Sequence, residues 1–193
     1  MEDTSTSLLL RAREGEPSAW QQVIDLYRPL IQGWLIRHQV QPQEAEDLTQ
    51  DVLTVLVKEL PTFEHGGRAG AFRAWLKTVA VNRARAFWRA GTVRAEAAGG
   101  SAVLARIEAL ADPDSDLSRR WDEEHDAHVL RRLLTLMERE FEPATLRAFR
   151  LLTFDGVSGQ EVADELGMSV AAVYGAKSRV LQRLRQEAQG LLD

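Results

Sequence analysis

Residues 42–60, PQEAEDLTQDVLTVLVKEL, and residues 71–89, AFRAWLKTVAVNRARAFWR, decide the fold; PTFEHGGRAG at 61–70 joins them. In the first stretch Ala45, Leu48, Val52, Val55, Leu56 and Leu60 recur at helical spacing, which gathers them on one side of a helix. Glu44, Asp47 and Asp51 line another side, and Pro42 suits a first helical turn, where its missing N–H costs nothing. In the second stretch Phe72, Trp75, Leu76, Val79, Ala86 and Phe87 form the apolar arc. Two helices of opposite charge, joined by a glycine-rich loop, are therefore expected.

The second helix carries the chemistry. Between Gly66 and Ala95 the basic residues are Arg68, Arg73, Lys77, Arg83, Arg85, Arg89 and Arg94, and there is no acid. Thr78, Asn82, Arg85 and Arg89 fall at spacings of four, three and four, so they share one stripe. Val81 and Trp88 project beside Lys77, away from the main apolar arc. Two readings fit this pattern. A basic surface with an aromatic in it neutralises phosphates and stacks on an unpaired base. An ordinary solvated face, with Trp88 covered by a neighbouring helix, has the same composition.

At 193 residues the chain is long enough for one large domain or two small ones. A net charge of −5 and a pI near 5.5 exclude a generally basic nucleic-acid coat. The charge is segregated instead: acidic at 44–64, basic at 68–94, acidic again at 112–126. Such a pattern is expected of a protein with one acidic and one basic partner. The absence of cysteine excludes disulfides and thiolate chemistry and fits a reducing cytoplasm. No apolar run approaches bilayer length, and MEDTSTSLLLRAREGEPSAW has acids where a secretory signal needs positive charge. A soluble cytoplasmic protein with no membrane contact is expected.

Upstream, residues 7–14 (SLLLRARE) read as a short helix ended by Gly15. A second helix follows from Pro17, with Trp20, Val23, Ile24, Tyr27, Ile31, Trp34 and Leu35 on its core side; Pro29 is expected to kink or split it. Packed on the helix from Pro42, these make a compact N-terminal helical domain. From Ala90 to Asp126 the periodicity fades into small residues, a Gly-Gly pair and acids around Asp112, Pro113 and Asp114. That segment reads as a flexible linker carrying a short helix over 103–110, with 118–126 beginning the next helix, since Trp121 and His125 lie four apart and lead into HVLRRLLTLMEREF. His125 and His128 stand among Asp122, Glu123, Glu124 and Asp126, but with no cysteine or second ligand cluster they read as a solvated helix start, with no metal site. No phosphate-binding glycine loop or nucleophile motif is present.

The C-terminal signal is sharper. Glu142 and Pro143 open a helix with Leu146, Phe149, Arg150 and Leu152, and Phe154-Asp155-Gly156 breaks it. Ser158 and Glu161 form a capping box for a short helix holding Val162 and Leu166. Gly167 is placed for a left-handed C-cap, and Ser169 caps the next helix, SVAAVYGAKSRVLQRLRQE. The string Ala163, Leu166, Gly167, Met168, Ser169, Val173 is a helix-turn-helix pattern, in which Ala163 permits close crossing and Val173 anchors the second helix. Between Ser169 and Arg185 the charges are Lys177, Arg179, Arg183 and Arg185, with no acid.

The order AEDLTQDV, a loop phenylalanine, FRAWLKTVAVNRAR with a following Trp-Arg, a linker, then a helix-turn-helix resembles the extracytoplasmic-function (ECF) group of bacterial sigma factors. The match covers nearly the whole chain except the linker. It implies an all-α protein of two small helical domains: 1–94 a sigma-two domain, 95–126 a flexible linker, and 127–193 a sigma-four domain. Asp47, Gln50 and Asp51 would then dock on the clamp helices of the polymerase β′ subunit, with the β flap as a further contact. Phe63 and Asn82 match the positions that hold a flipped base of the minus-ten element, by ring stacking and amide pairing. Arg73, Lys77, Arg83, Arg85, Trp88 and Arg89 would hold the separated strand. Ser169, Ala171, Ala172, Tyr174, Gly175, Lys177, Ser178, Arg179 and Arg183 would read the minus-thirty-five element as duplex. The implied partners are core RNA polymerase, promoter DNA and, as for many relatives, an anti-sigma protein. No cofactor is implied, and the chain is not itself an enzyme.

The chain departs from the family where Glu64 follows the loop aromatic, where Ala86 precedes the final aromatic pair, and where Tyr174-Gly175 replaces Arg-Ser. Two other classes compete. A stand-alone regulator binding duplex DNA through 144–186 leaves the acidic helix and Phe63/Asn82 unassigned. An adaptor would use its acidic helix to bind protein and leave the basic helix solvated.

Overall fold

The computed structural model describes residues 7–64, 70–90 and 100–192. Among them the chain is all-helical. Helix α1 (Leu8–Arg13) starts where the Ser7 hydroxyl accepts the Leu10 N–H and ends before Gly15 at φ +87°. Helix α2 (Pro17–Arg37) runs through Pro29 without a break. Leu26, Tyr27, Leu30 and Ile31, all buried, hold the helix on both sides of the proline, so packing outweighs the lost hydrogen bond. Helix α3 (Pro42–Glu59) buries Ala45, Leu48, Val52, Val55 and Leu56 as the periodicity predicts. A short 3-10 turn (Leu60–Thr62) follows it, and helix α4 is Ala71–Ala90.

In the expected linker the helix over 103–110 and the helix start at 118–126 are both found, and what differs is their length and their buried apolar residues. Its residues 95–99 lie outside the described residues. Beyond them stand helix α5 (Gly100–Ala111) and the first turns of helix α6 (Asp116–Met137), which the Ser115 hydroxyl caps by accepting the Ser118 N–H. In α5, Val103, Ile107 and Leu110 are buried at steps of four and three. In α6, Trp121, His125 and Val129 are buried at steps of four. So 100–126 are helices with apolar stripes, and the solvated helix start assigned to His125 is corrected: its imidazole has no exposed surface. The neighbouring acids concealed that stripe.

Helices α7 (Pro143–Thr153), α8 (Gly159–Leu166) and α9 (Val170–Ala188) complete the chain. The local cap signals hold. Ser158 and Glu161 close a capping box, Gly167 sits at φ +64°, and the Ser169 hydroxyl accepts the Ala172 N–H. Ala148, Val162, Ala163, Val173 and Ala176 make a small core for the α8–α9 corner. The larger core runs through α1 to α7 and the end of α9. In it α5 lies along α4 and against α6, α6 meets α2, and α1 meets α9.

Candidate nucleic-acid interface

Helix α4 presents two kinds of basic residue. Asn82, Arg83 and Arg89 are exposed. Arg73, Lys77 and Arg85 are instead engaged by carboxylates from α5 and α6. Arg73 Nη1 donates to the Asp126 carboxylate at 2.5 and 2.6 Å, and its Nε lies 3.4 Å from Asp122. Lys77 Nζ donates to Asp122 Oδ1 at 3.0 Å and to Ser118 Oγ at 2.6 Å, leaving its side chain 13 % exposed. Arg85 Nε donates to Glu108 Oε1 at 2.8 Å, and this bond holds the Glu108 carboxyl below its ordinary pKa. Arg68 and Arg94, also counted in the basic run, lie outside the described residues.

The aromatic positions differ in the same way. Phe63 is half-buried; its ring meets Phe72 edge-on at 5.7 Å and lies 5.0 Å from Trp75. The 3-10 turn fixes it through the bond from its N–H to the Leu60 carbonyl. Trp88 is buried at 9 % exposure. Val81 and Ala84, on the same side of α4, line one narrow apolar seam with Ile107, Leu110 and Trp121. Of the two readings of Trp88, the structure shows the covered one. Glu64 and Ala86 are exposed.

On α3, Asp47, Gln50 and Asp51 are all exposed on the edge opposite the buried Leu48 and Val52. Gln50 Oε1 accepts from Arg28 of α2 at 3.4 Å. The α3 edge and α4 are joined through the packing of their apolar sides.

On α9, Ala171, Tyr174, Ser178 and Arg179 are exposed, and Ala172, Gly175 and Lys177 are partly so. The Tyr174 ring leans over Gly159, where a Cβ would stand 2.7–2.8 Å from it, so a glycine at the start of α8 sets the tyrosine's position. Arg183 points the other way. Its guanidinium engages Glu140 at 2.7 Å and Glu187 at 2.6 Å, and Glu187 in turn accepts from Arg11 of α1 at 3.2 Å. The bond from Arg183 lowers the Glu140 pKa.

The residues that sequence reasoning missed are the acids over α4: Glu108, Asp122 and Asp126. Their signal was present in the alternation of charge, which was read as two external partners. The buried pair beneath them was also missed. The Tyr27 hydroxyl lies 3.3 Å from His125 Nε2, and His125 Nδ1 lies 2.9 Å from Asp126. Burial lowers the His125 pKa and raises that of Tyr27. Among the described residues no cluster of three metal-ligating side chains occurs, and no helix is long and apolar enough to cross a membrane.

Comparisons with known proteins find relatives over nearly the whole chain. The family model for sigma-70 region 2 matches residues 23–93, which hold α3, α4 and most of α2. Over 191 residues the chain is 30 % identical to the ECF RNA polymerase sigma factor ShbA of Streptomyces griseus, covering 95 % of this chain and 94 % of that one. It is 28 % identical over 176 residues to the RNA polymerase sigma factor CarQ of Myxococcus xanthus, covering 91 % and 92 %. To the ECF RNA polymerase sigma factor BldN of Streptomyces coelicolor it is 26 % identical over 177 residues, spanning 92 % of this chain and 63 % of BldN. With a helix pair carrying an acidic and a basic edge, and a capped helix-turn-helix behind it, the chain belongs to the ECF RNA polymerase sigma factors.

Proposed function

We propose that this chain binds core RNA polymerase through the exposed edge of α3 and directs it to promoters through α4 and α9. Asp47, Gln50 and Asp51 present charge and a side-chain amide suited to a basic surface such as the β′ clamp helices; the β flap is the natural contact for the α7–α9 unit. On α4, Asn82, Arg83 and Arg89 are exposed to meet a strand, the amide pairing with a base edge and the cations neutralising phosphates, with Arg89 also attracting Glu108. Phe63 supplies a ring at the start of the loop. Arg73, Lys77, Arg85 and Trp88 join that surface once α5 and α6 leave it. The exposed side of α9, from Ser169 through Tyr174 to Arg179, faces outward for a duplex major groove. In this reading residues 1–94 act as the minus-ten module and 127–193 as the minus-thirty-five module. The polymerase performs the phosphoryl transfer, and this chain supplies the binding energy for recognition and strand opening.

The observation that carries the reading is the exposure of Asn82, Arg83 and Arg89 on α4 together with that of Asp47 and Asp51 on α3. Run-off transcription with core polymerase over a genomic promoter library tests it. Discrete starts appearing only with this chain are expected. Asn82→Ala is expected to reduce open-complex formation while leaving core binding intact, and Asp51→Arg to weaken core binding. Equal loss of opening and core binding with Asn82→Ala would remove the base-holding role.

A further inference from the structure

The basic side of α4 is not bare in the isolated chain. Three of its cations, Arg73, Lys77 and Arg85, each face a carboxylate that comes from the segment between the two expected modules: Asp126 and Asp122 for Arg73, Asp122 for Lys77, Glu108 for Arg85. From Arg73 to Arg85 these cations span twelve residue steps of helix, about 18 Å, and carboxylates lie at both ends. The apolar side of the cover is as complete as the charged side. Val103, Ile107 and Leu110 of α5 are buried, as are Val81, Ala84 and Trp88 on the side of α4 that α5 packs along. The covering segment therefore presents negative charge to the cations and apolar groups to the aromatic, the two features by which a single strand engages such a surface.

We infer that α5 and the first turns of α6 act as an internal substitute for the DNA strand, so that the isolated chain is self-masked at α4 and DNA must displace Glu108, Asp122 and Asp126. This rests on the reading of α4 as the strand-binding surface. The masking carboxylates suit displacement. Their side chains are 51, 36 and 43 % exposed, so the ion pairs are held at the solvent boundary, where phosphate competes on similar terms. The mask also gives Asp122 and Asp126 of the acidic run at 112–126 a partner within the chain.

The test compares the wild-type chain with Glu108→Gln/Asp122→Asn, measuring anisotropy of fluorescein-labelled oligothymidylate across a salt series, without polymerase. Asp126 stays in place because it also bonds His125. A single strand isolates α4 from the duplex-reading α9. Glu108 is exposed and Asp122 partly so, and helix content and melting temperature by circular dichroism verify that the fold is kept. The expected result is about tenfold tighter binding by the variant, with a salt slope steeper by about one, as each regained phosphate contact on single strands adds about 0.7. Equal affinity and slope for the two folded proteins would overturn the masking while leaving the interface to be judged by the run-off assay with Asn82→Ala. Adding Lys77→Ala and Arg85→Ala, the two cations that the substitutions release, to the neutralised chain is expected to abolish the gain. A gain that survives them would overturn the masking and point to a strand site outside α4.

Discussion

His125→Asn, followed across pH, tests how α6 is held over α4. The imidazole is wholly buried between Tyr27 of α2 and Asp126 of its own helix, with Arg73 and Asp122 nearby. Burial lowers its pKa below 6.5, and the Asp126 bond opposes that shift without cancelling it. The unfolded chain therefore takes up the proton first. Stability from this group is full above about pH 6.5 and is lost as pH falls toward the folded-state pKa, by at most about 1.4 kcal/mol per pH unit for one proton. His38 and His128, shifted the same way by burial, add smaller losses because both are partly exposed. Asparagine keeps a donor near the Nδ1 position for Asp126 but does not titrate. It leaves a small void and the Tyr27 hydroxyl without its partner, which together cost about 2 kcal/mol at pH 7.5. Urea unfolding at pH 7.5, 6.5 and 5.5 should show the variant less stable at the high end and the two curves converging toward the low end. Parallel curves would refute the argument, since they would mean the imidazole stays accessible to protons in the folded chain.

Two further outcomes follow from particular contacts. Gly175→Ala places a methyl inside α9 that meets only Arg179 Nη1 at 3.4 Å, a flexible side-chain end. It is expected to raise stability by about 0.5–1 kcal/mol while weakening duplex promoter binding by blocking backbone approach; a stability loss on thermal melting would show that the site does not admit a Cβ. Leu110→Ala empties a fully buried position in the seam between α5 and α4. It is expected to cost about 3 kcal/mol by denaturant unfolding, whereas a cost under about 0.5 kcal/mol would mean that α5 does not pack there in solution.

What could be read in advance was what is local. A capping box, a glycine at positive φ and a serine cap each need only a few neighbouring residues, and the α8–α9 corner formed as read. The α3 and α4 helices were legible because their apolar residues are large and regularly spaced. In α5 the stripe of Val103, Ile107 and Leu110 is diluted by alanines and preceded by Gly99-Gly100, so its burial was hidden although the spacing was correct. In α6 the four-residue step from Trp121 to His125 marks a helix, as found, but four acids beside His125 hid the burial of Trp121, His125 and Val129. Pro29 misled in the other direction, because a proline's local cost says nothing about the packing that offsets it.

Charge was the hardest signal, because its sign is in the sequence but its partner is not. An acidic run and a basic run predict attraction equally well to two outside molecules or to one another, and only a fold that brings them together decides. Here the decision divides the proposed strand-binding residues. Asn82 and Arg83 are exposed and Arg89 is exposed beside Glu108, whereas Arg73, Lys77 and Arg85 are paired with carboxylates of α5 and α6 and Trp88 is buried. The half-exposed ion pairs contribute under about 1 kcal/mol each and exchange readily for phosphates. The apolar seam does not exchange so readily, because separating α5 from α4 returns Trp88, Ile107 and Leu110 to water unless another surface takes them. Bases stacking on the ring would be one such surface and core polymerase another, so the proposed opening needs an acceptor for the apolar seam as well as phosphates for the cations.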